Sequence, residues 1–258
     1  MIQNKKGLLR KVPEITAIFW VTKLCTTAMG EATSDFLANT INPYIAVMIG
    51  FVVFIFSIWL QFRTKRYLPA VYWFTVAMVA VFGTMAADVL HKQFGVAYAV
   101  STAFFATSLA VIFFVWQRLE QSLSIHTINT SRREAFYWLT VVTTFALGTA
   151  LGDWTAFGLG LGYLTSGILF TGLMVIPAIG RRLGLNEVFT FWCAYIITRP
   201  VGASFADWIG KPLPAGLGYG DGTVSVALTI FIIICVVYMT YNRHERRLEG
   251  EPVQLRLR

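Results

Sequence analysis

Long apolar stretches separated by short polar segments predict an all-α membrane bundle of eight transmembrane helices. A membrane helix needs about 20 mostly apolar residues, and eight stretches qualify: 14–35, 44–62, 68–90, 96–117, 134–155, 157–180, 187–208 and 222–242. The odd-numbered stretches carry ionisable residues, and the even-numbered ones carry none. Because ionisable side chains avoid lipid, we expect the odd-numbered helices to line the interior and the even-numbered helices to face the bilayer.

Composition and charge placement support this class. Only 13% of the 258 residues are charged, against about 25% in soluble domains. Cytoplasmic segments of membrane proteins are enriched in Lys and Arg, so the basic residues predict that both termini are cytoplasmic. All but four of the 21 basic residues then lie in cytoplasmic segments; the exceptions are Lys23, Lys92, Arg199 and Lys211. The net charge of +8 therefore indicates contact with anionic lipid, and no nucleic-acid binding is expected.

The polar segment 118–133 divides the predicted spans into two groups of four. We predict a first half at 1–117 with repeats 1 and 2, and a cytoplasmic linker at 118–133. A second half at 134–242 contains repeats 3 and 4, and a basic cytoplasmic tail follows at 243–258.

An internal repeat runs through the odd-numbered stretches. An aromatic residue precedes a Trp, a Gly follows the Trp by ten positions, and an Asp follows the Gly by five. The four sets are Phe19-Trp20, Gly30 and Asp35; Tyr72-Trp73, Gly83 and Asp88; Tyr137-Trp138, Gly148 and Asp153; and Phe191-Trp192, Gly202 and Asp207. Each repeat contains two spans and so enters from the same side, which predicts parallel repeats with pseudo-fourfold symmetry or two halves of two.

Each part of this motif has a physical interpretation. The four Trp side chains are expected to anchor the helices at the cytoplasmic interface. A small residue, such as Gly152 in the third repeat, follows each motif glycine by four positions, and this spacing lets helices pack closely. Fifteen helical residues rise about 22 Å, so the four Asp are expected at one level near the outer side.

These four sets of aromatic-Trp, Gly and Asp resemble a bacterial family of polytopic membrane proteins, built from four tandem two-helix repeats with a recurring Trp and of unknown function. The resemblance extends from about Glu14 to Tyr241. It implies a multi-pass protein of the bacterial inner (plasma) membrane. It brings no established activity and therefore no catalytic residues.

Seven ionisable residues in the spans are candidates for binding an ion or substrate: Asp35, Asp88, Asp153, Asp207, Glu31, Arg199 and Lys23. The four Asp are predicted metal ligands if the ion is a hard cation, because carboxylate oxygens suit such ions; alternatively, they only hold repeats together. Arg199, which precedes Pro200, is expected to be a gate, a counter-ion for Asp or Glu31, an anion contact or a structural salt bridge. Lys23 either contributes to a site or extends toward the cytoplasmic surface.

Other motifs predict neither an enzyme nor a cofactor. The sequence contains no Ser/His/Asp set, HExxH motif or cysteine dyad that would indicate catalysis. No predicted span holds a His, which argues against bis-His haem in the bundle. His91 follows Asp88 by three residues and either joins an outer site or is a solvated loop residue.

We therefore predict an integral membrane transporter or channel for a small cation, either a divalent metal or proton-coupled. The alternatives are a permease for a small organic solute, with Arg199 and Lys23 as anion contacts, and a structural or assembly protein without flux. The expected partners are the lipid bilayer and a small ion or small-molecule substrate. A homo-oligomer is compatible with this sequence.

Overall fold

The computed structural model describes residues 11–249, in which eight long helices and no strand occur. The helices are α1 (Ala17–Thr40), α2 (Pro43–Arg63), α3 (Pro69–Asp88), α4 (Tyr98–Glu120), α5 (Ser131–Asp153), α6 (Gly162–Arg182), α7 (Glu187–Gly210) and α8 (Asp221–Glu249). Two of them continue into π-helical turns, α3 into Val89–Gln93 and α5 into Trp154–Gly158. The predicted all-α fold of four two-helix repeats is confirmed. The basic residues before position 11 and the side chains of the predicted tail 243–258 lie outside the described residues.

Local sequence explains where several helices begin. Asn42 accepts a hydrogen bond from Tyr44 N at 3.0 Å before α2, and Asn186 accepts one from Val188 N at 2.9 Å before α7. Both satisfy backbone donors that lack a partner in the first turn of a helix. A proline also occupies the first position of α2 and of α3, where its missing N–H has no cost.

The first helices of the four repeats form a closed inner ring. α1 packs against α3, α3 against α5, and α5 against α7, while α7 returns to α1. The second helices surround this ring, with α2 against α3, α4 against α5, α6 against α7 and α8 against α1. Each outer helix thus covers the inner helix of the next repeat. The structure confirms that odd-numbered helices are interior and even-numbered helices are peripheral, and it joins the two halves into one bundle.

Six of the eight helices are long and apolar enough to cross a membrane by length and composition: α2, α3, α4, α5, α6 and α8. The other two predicted spans, α1 and α7, have 24 residues each, or about 36 Å of helix. They are more polar because they carry Lys23, Glu31 and Arg199. These side chains are buried in the ring, where neighbouring helices shield them.

The motif glycines lie where the inner helices touch, and the contact repeats around the ring. Each faces the residue that precedes the next repeat's motif glycine by three positions; the pairs are Gly30 with Ala80, Gly83 with Phe145, Gly148 with Arg199 and Gly202 with Thr27. A Cβ added at Gly83 would lie 2.7 Å from Cβ of Phe145. Glycine is therefore required by the close approach of the helices, and the last contact closes the ring from repeat 4 to repeat 1.

The aromatic-Trp pairs pack together at one end of the ring. This aromatic cluster comprises Phe19, Tyr72, Trp73, Tyr137, Trp138, Phe191 and Trp192. Ile125 and Ile128 of the 118–133 segment pack against it, so the linker covers this end of the ring. Nearby, the buried ion pair between Lys11 and Glu134, at 2.5 Å, ties the chain before α1 to the start of α5.

This packing corrects one expectation about the tryptophans. We expected Trp20, Trp73, Trp138 and Trp192 to be interfacial anchors, but all except half-buried Trp20 are buried. Trp192, for example, donates its indole N–H to the Leu123 carbonyl at 3.0 Å. Three of the four rings therefore stabilise contacts between repeats, because the inner helices are shielded from lipid by the outer ones.

Candidate cation site in the inner ring

An ion pair between Arg199 and Glu31 lies at the centre of the ring. Nη2 of Arg199 lies 2.8 Å from Oε2 of Glu31. The same nitrogen donates to the hydroxyls of Thr84 and of Thr149, the latter at 2.7 Å, and Nη1 donates to the carbonyl of Thr27 at 3.2 Å. Side chains from all four inner helices thus meet here and close the axis of the ring.

Three of these residues occupy one position of the repeat, directly after the motif glycine: Glu31, Thr84 and Thr149. The fourth repeat has Ala203 at this position. The side chain of Arg199, one helical turn before Ala203, takes this place in the ring. The contacts of Arg199 fit two of the roles suggested by the sequence, the counter-ion for Glu31 and the structural salt bridge; its role as a gate stays a prediction. We call the Arg199–Glu31 contact the central pair.

Lys23 lies nearer the aromatic cluster and is 1% exposed. Its Nζ lies 4.1 Å from the ring centre of Phe145 and 4.4 Å from that of Tyr195, and it has no hydrogen-bond partner among the described residues. The surface-directed conformation weighed from the sequence is therefore not adopted, because Phe145 and Tyr195 enclose the amine. Aromatic faces attract such a cation but do not replace its lost hydration.

The four motif aspartates lie at the other end of the ring, where two lysines cross-link three of them. Lys92 lies 3.0 Å from Oδ2 of Asp88 and 3.4 Å from Oδ1 of Asp35. Lys211 contacts Asp35 and lies 3.7 Å from Oδ1 of Asp207. Together with Glu31, the aspartates form what we call the acidic cluster: Glu31, Asp35, Asp88, Asp153 and Asp207.

Lys211 follows the end of α7 and is held by several carboxylates. Burial favours the neutral amine, but the charges of Asp35 and Asp207 outweigh burial and raise the pKa of Lys211 above its usual value. Asp221, at the start of α8, also lies 3.0 Å from Nζ of Lys211. Lys211 is therefore a permanent positive charge that joins α1, α7 and α8.

Asp153 has a different partner. Within residues 11–242, the range of described side chains, its one ion-pair contact is Nδ1 of His91, 3.5 Å from Oδ2 of Asp153. His91 lies in the π-helical turn after α3, and its side chain is 2% exposed. The solvated position considered for His91 is therefore wrong, because the turn places the ring between α3 and α5, against Ser101 of α4.

The acidic cluster contains more carboxylates than basic partners. Its five carboxylates contact four basic side chains within the described part of the chain, namely Arg199, Lys92, Lys211 and His91. Two groups bring three ligand atoms within 4.8 Å of one another: Glu31, Asp35 and Asp207, and Asp88, His91 and Asp153. Buried carboxylates whose charges are not fully balanced are costly, so this region favours a cation.

A family model described as "Repeat of Unknown Function (DUF347)" matches the chain four times, at residues 18–67, 71–122, 136–181 and 190–245. The chain belongs to the DUF347 family. Each match covers one inner helix and most or all of the outer helix after it. No curated protein and no solved structure matches the chain significantly. The suspected family is thus confirmed, and the four DUF347 repeats coincide with the four units of the ring.

The DUF347 motif brings the predicted candidates to two levels, with the central pair and Lys23 within the ring and the aspartates at its end. Sequence reasoning did not select Lys92, Lys211 or Ser101 as site residues. The two lysines have a visible signal: each follows its motif aspartate by four positions, in repeats 2 and 4. Residues four apart share a helix face. Ser101 has no comparable signal, because it contacts His91 from another helix.

Proposed function

We propose that this DUF347 protein is a membrane transporter for a small cation, which enters the inner ring through the acidic cluster. The observation that carries the proposal is the excess of carboxylates, four of them buried, over basic side chains at one end of the ring. Intramembrane ionisable groups typically mark ion pathways. The helical membrane-protein character and the interior position of all five carboxylates support this function over a purely structural role.

The central pair supports a gated carrier over an open channel. Arg199 lies on the axis directly beyond the acidic cluster, and a cation must pass its positive charge. Glu31 contacts Arg199 and also lies within 4.8 Å of ligand atoms of Asp35 and Asp207. A cation that binds Glu31 therefore competes with Arg199, so binding would loosen the contact that closes the ring.

The organic-solute alternative has less support. The two terminal nitrogens of Arg199, Nη1 and Nη2, which would bind an organic anion, already contact Glu31, Thr149 and Thr27. A cavity of about 600 Å³ lies between α4 and α7, near the linker, and its lining includes Phe113 and Phe189 rather than Arg199 or Lys23.

The test measures flux of Mn²⁺, Zn²⁺, Mg²⁺, Na⁺ and protons into liposomes that contain the purified protein. We expect at least one cation to enter faster than into empty liposomes, and we expect Asp88→Asn with Asp153→Asn to reduce the rate at least tenfold. Glu187→Gln is the control, since Glu187 is a half-exposed carboxylate paired with Arg181 at 2.8 Å. No flux above empty liposomes, or unchanged flux in the double variant, would reject the proposal.

The proposed location is the bacterial inner membrane with both termini in the cytoplasm. Basic residues at the aromatic end of the described bundle support this orientation, among them Arg63, Arg118, Arg132 and Arg181. The acidic cluster would then face outward. For the test, the native cysteines are replaced and single cysteines are introduced at exposed Phe94 and Leu183. In intact cells, an impermeant thiol reagent should then label position 94 only. Labelling at 183 alone would reverse the orientation.

A further inference from the structure

His91 presents a buried nitrogen to two carboxylates. Nδ1 of His91 has no hydrogen-bond partner among the side chains that the structure describes, although it lies 3.5 Å from Oδ2 of Asp153. Ligand atoms of Asp88, His91 and Asp153 lie within 4.8 Å of one another. A buried polar atom without a hydrogen bond is uncommon and requires an explanation.

The contacts on the other side of the ring favour one position for its proton. Oγ of Ser101 donates its single hydrogen to the Tyr98 carbonyl at 3.0 Å. Oγ of Ser101 also lies 2.5 Å from Nε2 of His91. When Ser101 donates to the Tyr98 carbonyl, it accepts from Nε2–H of His91. In the neutral ring, Nδ1 therefore has a free lone pair, and it faces two carboxylates that also carry lone pairs.

Three electron-pair donors that face one another repel unless a proton or a metal cation lies between them. Metal-binding histidines usually donate the opposite ring nitrogen to a hydrogen-bond acceptor, which orients the ring, and Ser101 does this here. Tetrahedral N and O ligands at about 2.1 Å from a metal lie about 3.4 Å apart. The distance of 3.5 Å between His91 Nδ1 and Asp153 Oδ2 matches that spacing.

The second acidic group provides a contrast within the same ring. Glu31 contacts Arg199, and Asp35 and Asp207 contact Lys211, so basic side chains occupy the place of a cation there. Lys92 lies between the two groups, with its Nζ 3.0 Å from Oδ2 of Asp88 and 3.4 Å from Oδ1 of Asp35. Asp153 contacts no basic side chain other than His91 among residues 11–242, whose side chains the structure describes. Both π-helical turns directly follow ligands of the group with His91, at Asp88 and Asp153, and such turns often occur at functional sites.

We propose that Asp88, His91 and Asp153 bind one divalent first-row transition metal ion, in the range from Mn²⁺ to Zn²⁺. An imidazole nitrogen with two carboxylates favours these ions over Mg²⁺ and Ca²⁺, which prefer oxygen ligands alone. Three protein ligands leave positions for water, as in exchangeable sites. The assignment of this site to the transported ion rests on the proposed function, but metal binding at the site can be measured without flux.

The test titrates the purified, detergent-solubilised protein with Co²⁺ and follows its visible absorption, with Zn²⁺ competition and equilibrium dialysis as second measurements. We expect one Co²⁺ per chain, displaced by Zn²⁺ and retained in a hundredfold excess of Mg²⁺. His91→Gln should abolish this binding, and Ser101→Ala should weaken it about 10–100-fold, as expected for a residue that orients a ligand. His126→Gln is the matched control, because His126 is a partly exposed histidine outside the ring.

The outcomes separate this site from the transport function. Equal Co²⁺ binding by wild type and His91→Gln, or none by wild type, would overturn the site. Transport at the wild-type rate in His91→Gln would show that this site does not bind the transported ion. The proposed transport function would then still hold. Stoichiometric Co²⁺ binding without flux of any cation would support the site and reject the transport function.

Discussion

Arg199 and Glu31 join the fourth repeat to the first, 168 positions apart, through a 2.8 Å contact at the centre of the ring. Their helices also pack directly, since Gly202 of α7 faces Thr27 of α1. The two ends of the repeat array are thus held by a close helix crossing and a buried charge pair. The sequences of the four repeats differ most from one another at this contact.

Breaking the central pair should destabilise the fold strongly. Glu31→Gln and Arg199→Gln each leave a buried charge without its partner, which typically costs about 3–5 kcal/mol. The double variant should lose less than the sum of the two single variants, because neither charge then remains. Unfolding in mixed SDS micelles measures all three; additive losses would show that the two residues are not coupled.

The helix crossings predict different effects for two glycines of α5. Gly148→Ala places a methyl group against the side-chain carbons of Arg199, and overpacking of this kind costs about 1–3 kcal/mol. Gly152→Ala is the matched control one turn later, since its nearest neighbour would be Oγ of Ser204 at 4.0 Å. We expect thermal melting of the detergent-solubilised protein to show a lower Tm for the first variant only. Equal Tm values would contradict the tight crossing.

Lys23 and Lys211 should respond oppositely to the same substitution. The desolvation of a buried ammonium costs several kcal/mol, and its attraction to two aromatic faces offsets about 2 kcal/mol of this cost. Lys23→Met should therefore raise the free energy of unfolding by about 1 kcal/mol or more, whereas Lys211→Met should lower it, because Asp35, Asp207 and Asp221 lose their cation. Thermal melting of both variants tests this; a loss of stability in Lys23→Met would show that the amine has a stabilising role.

Lys211 also predicts how stability depends on pH. Its pKa is raised in the folded protein, from about 10.4 in the unfolded chain, so the folded state retains a proton that the unfolded state loses above that pH. The stabilisation by Lys211 is then complete below about pH 10.4 and is lost as pH rises through the folded pKa. The stability difference between wild type and Lys211→Met should be constant from pH 7 to 9 and shrink at higher pH. A difference that shrinks between pH 7 and 9 would contradict the raised pKa.

The inner and outer roles of the helices followed from where charges lie in the sequence. Ionisable residues in four of eight apolar stretches indicated which helices avoid lipid, and the spacing of Trp, Gly and Asp indicated which positions meet in the ring. The role of the tryptophans did not follow, because an aromatic ring at a helix end suits a lipid interface and a contact between repeats equally well. Once the outer helices shield the inner ones, Trp73 and Trp138 have only protein to contact.

The sequence by itself determined the membrane class, the four repeats and the level of the aspartates, since each depends on residue type and on spacing along one helix. The tertiary structure decided which charges meet. Glu31 pairs with Arg199, and Asp153 faces His91. These contacts depend on the order of helices around the ring and on the π-helical turn that rotates His91 inward, neither of which is encoded in the periodicity of a single segment.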